Sequence, residues 1–428
     1  MDSSSGKMPR TSGSALRRGD LRDRRLLLGK TYALSPSELD GLGTDAEMLE
    51  RSEVMVEYAV GYFAVPLGLA PGFLIDSVER TIPMATEEPS VIAAATFGAS
   101  LVARAGGFST AAADPLMAAH IYLRNVPEGN EARILAEEAA IRAATDRVLG
   151  RMERRGGGLR KVGVLRLAEG GFVRVELEID VRDAMGANIL NSAAESARPI
   201  LERASGGTTV MAILSNSADQ RIAHARFAMP TRLLARGRFD GEDVARAIVE
   251  AYLIAAEDQE RAVTHNKGIM NGVSALALAT ANDTRGIEAA VHRYATQSGH
   301  YSPLSRYELS DGQLAGTIEL PMPFGTVGGA TLFHPGARTV LKILGNPDGP
   351  TLCRIAAALG LAQNLAALAA LVSEGIQHGH MRLHARRVAF EAGARGSDVA
   401  KVAQKLQEQG DYRETYARAV LEGIRNEE

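Results

Sequence analysis

Apolar residues in EARILAEEAAIRAATDRVLGRMERR (Glu131–Arg155) recur at helical intervals. Those in KVGVLRLAEGGFVRVELEIDV (Lys161–Val181) alternate instead, on both sides of Gly170–Gly171. The first pattern predicts a helix and the second a hairpin. AAHIYLRNV, just upstream, reads as a strand; MGANILNSAAESARPILERAS reads as a helix and TVMAILSN as a strand. The order strand–helix–strand–strand–helix–strand is the split βαβ, ferredoxin-like pattern, not the alternating series of a Rossmann domain. The flanks are mainly helical. Ser35 can cap a helix, with Pro36 at its first position and Glu38 closing a capping box. SVIAAATFGASLVARAGG (Ser90–Gly107) predicts a buried helix ending at glycines. EDVARAIVEAYLIAAED and RGIEAAVHRYATQSG predict further helices, and GQLAGTIELPMP a strand.

The expected fold class is therefore α+β. A small ferredoxin-like domain (113–217) is inserted in a larger, mainly helical one (1–112 and 218–373), and a charged helical segment follows (374–428). A chain of 428 residues has room for this and for a large core. The longest apolar run, Ile355–Val372, approaches membrane-spanning length. Gln363 and Asn364 interrupt it, which favours a helix buried in protein. Net charge is -3, so charge gives no argument for nucleic acid or a membrane surface. The one cysteine, Cys353, rules out an intrachain disulfide and fits a reducing cytoplasm. Residues 1–25, rich in Ser and Arg without an apolar stretch, read as a mobile basic tail rather than a secretory signal.

Six stretches could carry chemistry. In TEEPS (Thr86–Ser90), Glu87 and Glu88 make either a polar turn or a buried general acid with a raised pKa. In DVRDAMGANIL (Asp180–Leu190), Gly186 before a helix start can expose backbone N–H groups to a phosphate; the other reading is a capped turn, and GxGxxG is absent. RAVTHNKGIMNG (Arg261–Gly272) surrounds Lys267 with His265, Asn266, Gly268 and Asn271. That lysine is either a solvated loop residue or an ammonium placed to stabilise an oxyanion. ANDTRG holds Asp283 in what alone is an ordinary turn. FGTVGGATLFHPG (Phe324–Gly336) has glycines suited to turns or close approach. EGIQHGHMRLHARR gathers His378, His380 and His384. On a helix, His380 and His384 share a face at a spacing that can bind zinc, but the glutamate of HExxH is missing. RRGGGLRK lacks the GK[ST] ending of a phosphate loop.

Taken together, EEPS, DAMGAN, THNKGIMNG, ANDTRG, GTVGGAT and GIQHGHMRLH stand in the order and spacing of one family. Over nearly its whole length the chain resembles the soluble, bacterial class II 3-hydroxy-3-methylglutaryl-coenzyme A (HMG-CoA) reductases. Two positions depart from the pattern: Tyr58 stands where the family usually has Asn after Glu57, and His378 where it usually has Arg, Lys, Asn or Gln. The resemblance implies a cytoplasmic oxidoreductase. It interconverts HMG-CoA with mevalonate and CoA by two hydride transfers through a mevaldehyde-level intermediate, with a nicotinamide cofactor. It also implies roles. Lys267 polarises the carbonyl, held by Asn271 and Asp283. Glu88 exchanges the proton, and His380, on a C-terminal flap, protonates the departing thiolate. Ser90, Arg261 and Gln363 contact the HMG portion. Asp183, Met185, Gly186, Ala187 and Asn188 form the cofactor loop. Asp146 toward a ribose favours NAD; Arg147, Arg151, Arg154 and Arg155 nearby would suit the 2′-phosphate of NADP. The implied assembly is a homodimer with sites at the subunit interface, without nucleic acid, membrane or metal. Two rivals remain: a metal-dependent hydrolase built on the three histidines, and a non-catalytic CoA-binding relative.

Overall fold

The computed structural model describes residues 13–373 and 375–427; the side chains of Ala15, Arg151, 376–383 and Glu427 lie outside that description. The chain divides into two compact units that meet in sequence at Pro66 and Leu67. The first contains α1 (Gly13–Arg18), α2 (Leu21–Tyr32), α3 (Pro36–Asp40) and α4 (Ala46–Met55). Its third helix starts as expected: Ser35 and Glu38 form the capping box and Pro36 sits in the first turn. The expected mobile tail is corrected from residue 13 onward. α1 and α2 occupy this stretch, and Arg24 is buried, hydrogen-bonded to Leu16 O, Ala59 O and the Glu53 carboxylate. Those acceptors turn a solvating charge into a structural one.

The second unit opens with the hairpin β1 (Leu67–Ile75) and β2 (Val78–Ala85), followed by α5 (Val91–Ala103) and the short β3 (Ser109–Ala112). Next come β4 (Leu116–Arg124), α6 (Glu131–Ala136), α7 (Glu138–Glu153), β5 (Gly158–Arg166), β6 (Val173–Asp180), α8 (Ala187–Ser205) and β7 (Thr208–Leu214). These four strands form an antiparallel sheet in the order β5-β6-β4-β7, which is the ferredoxin-like arrangement the patterning predicts. Alternate residues of β4 and β6, such as Ile121, Leu123, Val175 and Leu177, are buried with Leu190, Ala194 and Leu201 of α8 in a core made mostly by this region, with Ala218 and Ala290 added from later in the chain.

β8 (Ile222–Pro230) then pairs directly with β3, Ala112 opposite Ala223. The ferredoxin-like region thus leaves and re-enters one sheet through neighbouring strands. That sheet is completed by β9 (Ser305–Ser310) and β10 (Gln313–Pro321) in the order β3-β8-β10-β9. Between β8 and β9 lie α9 (Gly241–Glu257), α10 (Gln259–Ala279) and α11 (Thr284–Tyr294). After β10 come α12 (Gly329–Phe333), α13 (Pro335–Ile343) and α14 (Gly349–Leu371). α14 is long and apolar enough to cross a membrane, but 89% of its apolar window is buried within the protein. It packs against α5, α10 and the β8–β10 sheet, and its many alanines let those neighbours approach closely. α15 (Ile376–Glu391), α16 (Asp398–Gln409) and α17 (Glu414–Glu427) enclose a separate core that includes Ala389, Leu406 and Leu421.

Candidate active site

α10 begins because Asp258 caps it, accepting from the N–H groups of Glu260 and Arg261. Lys267 therefore sits in a helix, not in the loop its glycine and asparagine neighbours suggest. Burial against α14 outweighs the helix cost of Gly268 and Gly272, about 1 kcal/mol each. One face of α10 is buried and polar. His265 Nε2 meets Ser305 Oγ at 2.6 Å; Ser305 and Tyr307 hydroxyls both donate to Asn364 Oδ1 at 2.8 Å; and Asn364 Nδ2 donates to the carbonyl of His265. Burial, followed by the field of Arg261, pushes His265 down to about 3, so it is neutral at working pH. Asn266 accepts from Leu304 N and donates to Ser302 O. This network fixes the helix and hence the opposite face.

On that opposite face Lys267 Nζ donates to Glu88 Oε2 at 2.8 Å. Glu88 lies in the β2–α5 connection, where its N–H donates to Thr86 Oγ1. The pair is open to solvent, with side chains 58% (Lys267) and 37% (Glu88) exposed. So open an ion pair contributes at most about 1 kcal/mol to folding, which leaves it available for chemistry. Glu87 is exposed and makes no ion pair with a described residue. Ser90 takes a left-handed conformation (φ 71) at the start of α5, and its hydroxyl makes no cap bond. Asn271 follows Lys267 by one helical turn, half-buried like Arg261. Gln363 is buried on α14 facing Gly272, its Oε1 without a partner among the described residues.

Asp283 is not beside Lys267 in the chain. α10 continues from Lys267 to Ala279, roughly 18 Å at the α-helical rise, and Asp283 then caps α11 by accepting from Gly286 N at 3.0 Å. Arg285 is its nearest cation, at 4.0 Å. Asn282, immediately before it, binds Gly325 twice, accepting from its N–H at 2.7 Å and donating to its carbonyl at 3.0 Å. Gly325 has no room for a side chain: a Cβ there would sit 2.4 Å from Met185 N. Thr326 N donates to Asp183 O, and Ala184 bridges Val327. Arg221 is buried and donates to the carbonyls of Ala184 and Phe324. The Asp183 carboxylate, expected to face a cofactor, accepts from Gly349 N at the start of α14. A clamp thus holds the Asp183–Asn188 loop against the 324–327 segment.

That clamp presents the start of α8. Gly186 adopts φ 104 and no side chain caps the helix, so the first N–H groups at the positive end of this 19-residue helix have no side-chain acceptor. Asp146, half-buried on α7, makes no ion pair or hydrogen bond with a described residue; Arg147, Arg154 and Arg155 are exposed. The backbone of His378 and His380 lies in α15, but their side chains, and all of Glu374, fall outside the described residues. His384 is exposed with its ring 5.8 Å from that of Tyr412. Among the described residues no group of three His, Cys, Asp or Glu is placed to hold a metal. Asn282 and Gly325 lay within quoted motifs, yet nothing local marked them as a clamp. Arg221 carried no signal, since only burial distinguishes it.

A lysine–carboxylate pair on a helical core, joined to a ferredoxin-like region with an uncapped helix start, is an arrangement that an oxidoreductase acting on a carbonyl could use. The model of the hydroxymethylglutaryl-coenzyme A reductase family matches residues 20–385, and the chain belongs to that family. The 3-hydroxy-3-methylglutaryl-coenzyme A reductase of Archaeoglobus fulgidus is 41% identical over 99% of this chain and 97% of its own length. A probable counterpart from Borreliella burgdorferi is 37% identical over 78% of this chain and 77% of its own length. The solved reductase of Streptococcus pneumoniae superposes with a TM-score of 0.75 at 36% identity, covering 97% of this chain and all of that one. A class II structure from the same species, bound to NADPH in open conformations, gives 0.74 at 37% identity, covering 95% of this chain and all of that one. The activity is therefore the interconversion of HMG-CoA with mevalonate and CoA, and the hydrolase and non-catalytic readings give way to it.

Proposed function

We propose that Lys267 and Glu88 are the groups that act on the reacting carbonyl. The observation that carries this reading is their 2.8 Å ion pair on an open face. The nicotinamide supplies the hydride for both reductions. The Lys267 ammonium stabilises the charge that grows on the thioester oxygen and later on the aldehyde oxygen. Glu88, in contact with that ammonium, exchanges the proton the oxygen takes up. Arg261 offers a fork to the HMG carboxylate, with Ser90, Asn271 and Gln363 around it. His380 gives the leaving thiolate its proton.

Asp283 follows the far end of α10 and, among the described contacts, bonds Gly286 N rather than Lys267; the Asp183–Asn188 loop likewise bonds the 324–327 segment, which supports a site shared between subunits. A homodimer completes the site, the cofactor loop of one subunit facing Lys267 of the other. The α15–α17 segment then acts as the flap that closes over the substrates. We assign NAD as the cofactor on the Asp146 carboxylate, which is unpaired among the described residues, in a cytoplasmic enzyme. NADP is the second reading, supported by the exposed Arg147, Arg154 and Arg155 and by the NADPH named in the pneumococcal structure. Absorbance of reduced cofactor, followed with mevalonate and CoA and with NAD and NADP in parallel, tests both. NAD should give the higher kcat/KM, and Asp146→Ala should narrow the gap; a strong NADP preference overturns the assignment.

A further inference from the structure

The outer face of the β3-β8-β10-β9 sheet carries a hollow of about 920 Å³, closed on one side by the end of α11 and the turn that follows it. None of the residues assigned above lines it. Register places Arg226 of β8 and Arg306 of β9 on either side of Thr317 of β10. All three are exposed, while their chain neighbours Ala225, Phe227, Ser305, Tyr307 and Ile318 are buried. At the spacing of neighbouring strands the two arginine Cα atoms stand roughly 10 Å apart, within reach of one common anion for two such long side chains. Neither guanidinium makes an ion pair or hydrogen bond with a described residue. The hollow's carboxylate, Glu319, is engaged elsewhere: the Tyr294 hydroxyl donates to it, and His224 Nδ1 lies 3.3 Å from it. Desolvation, and then Glu319 itself, push the Tyr294 phenol up, which keeps it a donor.

We propose that this hollow is a binding site for a phosphate group, with Arg226 and Arg306 as a two-sided clamp and the Thr317 hydroxyl between them. Planar guanidinium forks match phosphate oxygens. The volume exceeds what one phosphate fills, and Ala295, Pro303 and Leu304 add apolar wall. The ligand is therefore a small organic phosphate, with orthophosphate as its minimal part.

Calorimetric titration of the full-length enzyme tests this, with saturating CoA and NADP present to fill the substrate and cofactor sites. The probes are inorganic phosphate, ribose 5-phosphate and ribose, at fixed ionic strength. Phosphate and ribose 5-phosphate should each bind saturably and ribose should not. Tighter binding of ribose 5-phosphate identifies an organic ligand; equal affinity identifies phosphate itself as sufficient. Arg226→Gln and Arg306→Gln should each weaken binding about 10-fold, the scale of one lost charge-assisted hydrogen bond. The double variant should abolish it while keeping the melting temperature and the kcat for HMG-CoA reduction. Absence of saturable binding, or binding unchanged in the double variant, overturns the proposal. So does a raised KM for HMG-CoA in the variants without separate phosphate binding, since the arginines would then belong to the substrate site.

Discussion

Midway along α10, Lys267 faces solvent with Glu88 as its one carboxylate partner among the described residues. At its end, Asn282 commits both amide groups to the backbone of Gly325, and everything beyond is locked by carbonyls and close contact. The first place has charge and freedom; the second has shape and rigidity. The contrast matches the role proposed for each. Carbonyl reduction needs an ammonium whose best partner is the developing oxyanion, so other ligands would compete with catalysis. A cofactor cradle needs backbone N–H groups already in place, so it is best built from groups that have nowhere else to go.

The largest effect should follow from removing the charge. Lys267→Ala should lower turnover at least about 100-fold on both HMG-CoA and mevaldehyde, with the fold intact by circular dichroism. Glu88→Gln should lose nearly as much and Glu87→Gln far less. Near-normal rates for Lys267→Ala, or a reversal between the two glutamates, would remove the catalytic place from the comparison. His380→Gln should divide the substrates instead: a severe loss on HMG-CoA, where a thiolate departs, and little on mevaldehyde, where none does. Equal losses would point to a role in ordering the flap.

The rigid end should respond in binding rather than chemistry. Asn282→Ala leaves the Gly325 N–H and carbonyl unpaired, at a cost of about 1–3 kcal/mol. It should raise the KM for the nicotinamide cofactor about 10-fold, with a smaller change in kcat. A fall in kcat as large as that of Lys267→Ala would erase the distinction between the two places. The last effect is on stability alone and concerns the shared helix. His265 is near 3 when folded and near ~6.5 when unfolded. The unfolded chain therefore binds the extra proton, and stability present above pH 6.5 is lost as pH falls toward 3. The loss should reach roughly 3 kcal/mol by pH 4, as about 1.4 kcal/mol per unit. Melting curves of His265→Gln should show a flatter decline over that window; an unchanged slope would place the acid sensitivity in other groups.

The ferredoxin-like sheet was legible because its strands and helices alternate within one continuous stretch, each with an unbroken period. The β3-β8-β10-β9 sheet was not, apart from β10. β3 has four residues, and its partner arrives only after the whole insert, so no local pattern announces the pairing. α10 was obscured for the opposite reason: Gly268, Asn266 and Asn271 signal a turn locally, and packing on α14 overrides them. Of the site, Glu88 and Lys267 could be picked out through their motifs. The separation of Asp283 from Lys267 could not, because it depends on the length of a helix that the local residues disguise. Arg221 was invisible, since a buried arginine that serves backbone carbonyls looks like any surface arginine in sequence.

The pairing of Ala112 with Ala223 also has a practical reading. The two ends of the insert stand one ladder spacing apart, about 5 Å, so a tight turn can join them with little closure entropy. A gene lacking the insert should still encode the host sheet and its helical centre. Transplanting the excised piece to a neighbouring pair of antiparallel strands in another scaffold would keep the two attachment points, but the new host would have to replace the contacts that Arg221, Gly325 and Gly349 now make with the Asp183–Asn188 loop.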